Sequence, residues 1–259
     1  MLISSFIPDS TTPIITIPVN INIYRNNDGS GNYWQDNPSF RDSLRQVFSY
    51  LNNIYANNVE YSEFIPGTIF IPDSKVRFVI DTFYYYNNSD LAHANDVNIF
   101  SSFLNDNYPE RLKKFNYHLS IDSTAEYSGE SSTYPIEAIV TVRQFKYQSL
   151  YALAVHMAHE FGHNLGLNHT YNDEICQIDN PEFLWDVFGA QRQPWCGAPD
   201  SLVCYHDAGW DCDPFDNTNT CTNNLMGGTK ESRHFSALQV GRMHRELSIS
   251  PLRKYAYGY

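Results

Sequence analysis

The stretch His159-Glu160-Phe161-Gly162-His163-Asn164-Leu165-Gly166-Leu167-Asn168-His169 reads HExxHxxGxxH, and its spacing dictates both a helix and a turn. His159 and His163 stand four residues apart, so on a helix their imidazoles share one face and can grip a single ion. Glu160 is rotated about 100° from His159, outside a first coordination shell yet near enough to take a proton from a water that the ion activates. A third ligand cannot come from the same helix unless the chain turns. Gly166 supplies that turn, because glycine adopts the left-handed conformation that ends helices at little cost, and His169 then swings back toward the metal. These residues predict Zn²⁺ held by His159, His163 and His169 with one position left open, and Glu160 as general base. With nine His and 13 Gly in 259 residues, chance assembly of the five fixed letters has odds on the order of 10⁻⁵ to 10⁻⁴ for the whole chain.

The flanks agree with the helical requirement. Upstream, Ser149-Leu150-Tyr151-Ala152-Leu153-Ala154-Val155-His156-Met157-Ala158 is rich in Ala and Leu, lacks Pro and Gly, and is apolar nearly all round, as a helix buried in a protein must be. His156 lies one turn before His159 and could be drawn as a fourth ligand. Three protein ligands plus water is the catalytic zinc pattern, however, and a fourth would close the open position. Downstream comes Cys221-Thr222-Asn223-Asn224-Leu225-Met226-Gly227-Gly228, which places Met226 between turn-forming Asn and Gly residues.

The extended motif resembles that of the metzincin clan of zinc endopeptidases, whose second signature is a tight turn carrying a Met beneath the metal. Met226 fits that Met-turn. Within the clan, Gly166-Leu167-Asn168-His169-Thr170-Tyr171 and Asn223-Asn224-Leu225-Met226-Gly227 look most like the pappalysin family, where Thr and an aromatic follow the third His and Asn precedes the Met-turn. The resemblance implies an α+β (mixed α/β), metzincin-like zincin fold forming a single catalytic domain over residues 1–259. Its N-terminal lobe, about residues 1–166, would hold a twisted, mostly parallel sheet with helices. The active-site helix would follow, and then a loop-rich, disulfide-bearing C-terminal lobe, about residues 167–259, ending in a helix. The implied activity is zinc-dependent endopeptidase, acting on peptides or proteins. Pappalysins often carry a Tyr just after the Met, where it can help stabilise the tetrahedral intermediate, whereas Gly228 stands in that neighbourhood here. A catalytically weak or inactive zinc-containing module that binds peptide or a surface partner is therefore the alternative reading.

The N-terminal half reads as strands and helices. Ile15, Ile17, Val19, Ile21 and Ile23 alternate with Thr, Pro and Asn, which predicts a half-buried strand. Phe40, Leu44, Val47, Phe48, Leu51 and Ile54 follow at helical spacing, with Ser39 as a cap. Val76 to Tyr84 and Ile136 to Val142 are rich in β-branched and aromatic residues and read as further strands. A last helix is expected near Ser236 to Leu247, with Leu238, Met243 and Leu247 on its apolar face.

At 42% hydrophobic, a chain of 259 residues can bury a full core. Its net charge of −12 argues against nucleic-acid partners and anionic membrane surfaces, and no apolar run approaches the roughly 20 residues of a membrane span. The first eight residues have no basic n-region and too short an apolar segment for a secretory signal. Cys176, Cys196, Cys204, Cys212 and Cys221 all fall in one stretch dense in Pro, Gly, Asp and Asn. Such a stretch has little apolar surface to hold it, and no CxxC spacing marks a second zinc site, so two disulfides and one unpaired Cys are expected. That predicts a secreted, cell-surface or periplasmic location with the export signal absent from this chain. Asp207, Asp211, Asp213 and Asp216 offer hard oxygen ligands for Ca²⁺, although they lack EF-hand spacing and solvated loop Asp residues are the commoner reading of such a cluster.

Overall fold

A computed structural model of the chain describes residues 6–60, 68–94, 96–121, 130–131, 138–139, 149–169, 184, 186, 224–227 and 233–249. The disulfides expected among the five Cys, the Asp residues considered for Ca²⁺, and Gly228 fall outside these residues.

The sheet begins with β1 (Ile15–Arg25) and β2 (Val76–Asn87), and is extended by β3 (Phe115–Leu119), β4 (Glu130–Ser131) and β5 (Ala138–Ile139). The strands lie in the order β2-β1-β3-β5-β4. Neighbours pair in parallel except β4, which runs antiparallel to β5. The helices are α1 (Pro38–Ala56), α2 (Ser89–Ala92), α3 (Val97–Asn107), α4 (Leu150–Asn164) and α5 (Ala237–Ile249). This mixed α/β, mostly parallel arrangement is consistent with the metzincin-like zincin fold that the sequence resemblance implies. No helix among the described residues is long and apolar enough to cross a membrane.

One face of β1 carries Ile15, Ile17, Val19, Ile21 and Ile23, each at most 2% exposed, against α1 and α4. Full burial of such a side chain contributes ~1.5–3 kcal/mol. The other face is not the solvated one that alternation predicts. Asn20, Asn22 and Tyr24 are buried there too, because α2 and α3 bring Leu91, Val97, Phe100 and Leu104 over Tyr24 and Tyr86. A buried amide costs free energy unless it is paired, and most of these groups are: Asn20 and Asn22 each donate from Nδ2 to Asn116 Oδ1 at 3.2 and 3.1 Å, and Tyr86 donates to Asn22 Oδ1, while Asn20 Oδ1 is left without a partner among the described residues.

The cap of α1 also differs from expectation. Asn37 is the N-cap, accepting from Phe40 N, and Pro38 opens the helix where its missing N–H is harmless. Ser39 is already inside the helix. From α1, Tyr55 donates to Ala158 O at 3.0 Å, fixing α1 against α4. Phe161 projects from α4 onto the sheet, stacked on Phe78 at 4.6 Å and edge-on to Tyr117 at 6.0 Å. The last helix lies where its apolar spacing predicts, with Leu238, Met243 and Leu247 buried. It is tied to the first half of the chain: His244 Nε2 lies 2.8 Å from Ser74 O, and Asn58 bonds the Phe235 backbone on both sides.

Candidate metal centre

Helix α4 starts at Ser149, whose hydroxyl accepts from Ala152 N, and buries Leu153, Ala154, Met157, Ala158 and Phe161. It stops as the sequence requires. Gly166 has φ +83°, Gly166 N donates to His163 O at 2.9 Å, and Leu167 N donates to Gly162 O at 3.0 Å. This pair of bonds is the Schellman motif, which satisfies the last carbonyls of a helix while reversing the chain. The reversal carries His169 back to the helix face that holds His159 and His163.

The three imidazoles meet at their Nε2 atoms, which are 3.0 Å apart for His159 and His169, 3.1 Å for His159 and His163, and 2.9 Å for His163 and His169. What points them there is backbone. His159 Nδ1 lies 2.8 Å from Leu225 O, and His163 Nδ1 lies 2.8 Å from Leu167 O. A carbonyl only accepts, so both Nδ1 atoms carry protons, and in the neutral rings Nε2 is left as a bare lone pair. Burial keeps the rings neutral: it pushes His163 down to about 4 and His169 to about 3, with neighbouring His residues adding to the effect. Burial also lowers His159, opposed by its bond to Leu225. Lone pairs crowded at this distance repel unless a cation sits among them. A tetrahedral Zn²⁺ with Zn–N near 2.0–2.1 Å separates its nitrogens by about 3.4 Å, close to the spacing seen, so the donor set fits that ion. Among the described residues, the group of His, Cys, Asp and Glu placed to hold a metal is His159, His163 and His169.

Glu160 occupies the position its helical offset predicts, beside the cluster and not in it, with only 5% exposure. His156 Nε2 lies 3.8 Å from Glu160 Oε1. Burial, and then the charge of His159, push His156 down to about 4, so it stands near Glu160 as a neutral ring and does not join the metal-binding group. Met226 is fully buried in a 3₁₀ turn, Leu225–Gly227. Its thioether packs on α4 at Gly162, where an added Cβ would come within 2.6 Å of the sulfur. The Leu225–Gly227 turn therefore lies directly against the helix that bears His159 and His163. Its contribution to the His cluster is the Leu225 carbonyl, a backbone group that no residue letter reveals. Leu167 O was missed for the same reason.

Gly166 is required twice. Besides its positive φ, a Cβ there would meet Glu246 Cγ at 2.5 Å. Left-handed backbone costs about 1–2 kcal/mol for an L-residue, and overpacking adds a comparable amount. Gly166→Ala is thus expected to lower stability by at least about 2 kcal/mol in denaturant melts, and an unchanged midpoint would contradict this account of the turn.

A family model described as "Reprolysin (M12B) family zinc metalloprotease" matches residues 98–183, about a third of the chain, running from α3 through the whole His motif. Among solved structures, the chain is similar to archaemetzincin from Methanopyrus kandleri, at 11% identity and a TM-score of 0.42, over 90% of this chain and 96% of that one. No curated protein matches. The zinc metalloprotease match and the three-His cluster together support a zinc peptidase of the metzincin type.

Proposed function

We propose that this chain is a zinc-dependent endopeptidase that hydrolyses peptide bonds in peptides or proteins, with His159, His163 and His169 as ligands and Glu160 as general base. The observation that carries the reading is the meeting of three imidazole Nε2 atoms beside a buried carboxylate. When bound, zinc would supply a Lewis acid for the scissile carbonyl and lower the pKa of water to about 7. The rest falls to the protein. Glu160, one helical step from His159, takes the proton of the attacking water and passes it to the leaving amine. Its burial keeps bulk water from competing for that proton. Leu225 O and Leu167 O hold the His159 and His163 rings in the tautomer that presents Nε2. Met226 supports the helix beneath them.

Within the metzincins, the segment from Gly166 to Tyr171 and the Asn before the Met-turn favour a pappalysin-like enzyme, while the matching family model is that of the reprolysins. The Cys-rich stretch favours an exported protein.

Elemental analysis of protein purified without added metal should find about one zinc per chain, and a diverse peptide library should yield internal cleavages. Zinc at full occupancy with no peptide cut would replace the enzyme with a zinc-containing binding module. Absence of zinc, with failure to take it up, would remove the metal centre itself.

A further inference from the structure

Helix α5 opens with Ser236-Ala237-Leu238-Gln239, the S-x-x-Q pattern of a capping box. Both halves of the box are made. Ser236 Oγ accepts from Gln239 N at 3.1 Å, and Gln239 Oε1 accepts from Ser236 N at 2.9 Å. Asp186 reinforces the same helix end, accepting from Ser236 Oγ at 3.0 Å and from Leu238 N at 2.8 Å. A capping box by itself takes Glu or Gln at this position, although Glu would set a second buried carboxylate beside Asp186. Gln239 does something a carboxylate cannot. Its amide faces that of Asn224, so Asn224 Nδ2 donates to Gln239 Oε1 at 3.0 Å while Gln239 Nε2 donates to Asn224 Oδ1 at 3.2 Å. Asn224 is fully buried and Gln239 is 1% exposed, so water does not substitute for either bond.

Asn224 Oδ1 also accepts from Met226 N at 3.0 Å. That N–H and the carbonyl of Leu225 belong to one peptide unit, which is planar and turns as a single body. Fixing the N–H therefore fixes the direction of Leu225 O, the atom 2.8 Å from His159 Nδ1. An unbroken path runs from the Gln239 amide through Asn224 and the Leu225–Met226 peptide to the His159 ring.

We propose that Gln239 is a positioning residue of the metal centre, which through Asn224 orients the Leu225 carbonyl that sets the tautomer and aim of His159. The inference rests on His159 being a zinc ligand. Groups one bond beyond a metal's ligands typically change its affinity by ~10–100-fold when removed, and the path here is longer, so the lower end applies.

The test compares three variants of the full chain by zinc affinity in chelator competition, by the visible absorption of the Co²⁺-substituted protein, and by thermal unfolding of the metal-free form. Gln239→Glu keeps an acceptor for Ser236 N but cannot donate to Asn224 Oδ1. Gln239→Met removes the amide pair without adding charge, and so covers the case in which Gln239→Glu does not fold. Ser236→Ala breaks the capping box from its other side and leaves the pair with Asn224 in place. The expected result is a zinc affinity weakened by ~10-fold or more and an altered Co²⁺ spectrum in the Gln239 variants. Ser236→Ala should melt earlier than wild type yet bind zinc within about 2-fold of it and keep its spectrum. Wild-type affinity and spectrum in the Gln239 variants would overturn the proposal, as would an equal loss of affinity in Ser236→Ala, since the effect would then belong to the helix cap. A wild-type protein that binds no zinc marks a different failure, that of the metal centre.

Discussion

Glu160→Gln should leave zinc content and thermal stability near those of wild type while lowering peptide cleavage by ~10²–10⁴-fold or more, the usual loss when a general base is removed. The substitution is nearly isosteric, which matters because the Glu160 side chain is buried and stands 3.8 Å from His156. An amide fills the same space and still faces the neutral His156 ring, but it cannot take a proton from water. Every ligand Nε2 and both carbonyls that orient the rings are untouched, so metal retention is the expected partner of lost activity. Two measurements on one sample decide it, zinc per chain and the rate of cleavage of a substrate found with the peptide library. If Glu160→Gln holds a full complement of zinc and cuts as fast as wild type, Glu160 is not the base and the mechanism fails, whatever the metal does.

Much of this centre is legible in the sequence because its parts are local. The three His proposed as ligands, the Glu160 proposed as base and the reversing glycine lie within one helix and its end, and helical spacing plus the conformational freedom of Gly166 are enough to predict the meeting of the His rings. The apolar faces of α1, β1 and α5 are legible for the same reason, since periodicity follows the backbone. What escapes is non-local or has no letter of its own. Leu225 O and Leu167 O orient the rings as backbone atoms. The capping box at Ser236 and Gln239 is written in four adjacent residues, but its use depends on Asn224, which arrives from a separate segment. The far face of β1 was misjudged because alternation reports only that one face is polar. Whether that face meets water depends on α3 and on Asn116 in β3, a strand of five residues too short to announce itself. Asn20 and Asn22 are buried because other chain segments cover and pair them.

His163→Ala separates the metal from the chemistry by the opposite route. Removing this ring deletes one of three convergent nitrogens and leaves Leu167 O, at the turn that returns the chain to the site, without the Nδ1 donor that now meets it. Zinc bound by two His and water is expected to dissociate during purification, taking peptide cleavage to background. Stability should respond in a way that Glu160→Gln does not. A ligand that binds only the folded state stabilises it by RT ln(1 + [L]/Kd), about 4 kcal/mol at a thousand-fold excess over Kd. Wild type and Glu160→Gln should therefore melt at higher temperature with zinc than after chelation, and His163→Ala should melt at the same temperature in both conditions. The metal-free forms of wild type and Glu160→Gln should lie close together, with His163→Ala lower by only about 1 kcal/mol for the lost bond to Leu167 O, because the buried contacts of Phe161, Tyr55 and Met226 that hold α4 in place do not involve His163. Stoichiometric zinc in His163→Ala, or a zinc-dependent rise in its melting temperature equal to that of wild type, would show that the ion is held elsewhere in the chain and that the three-His centre is not its site.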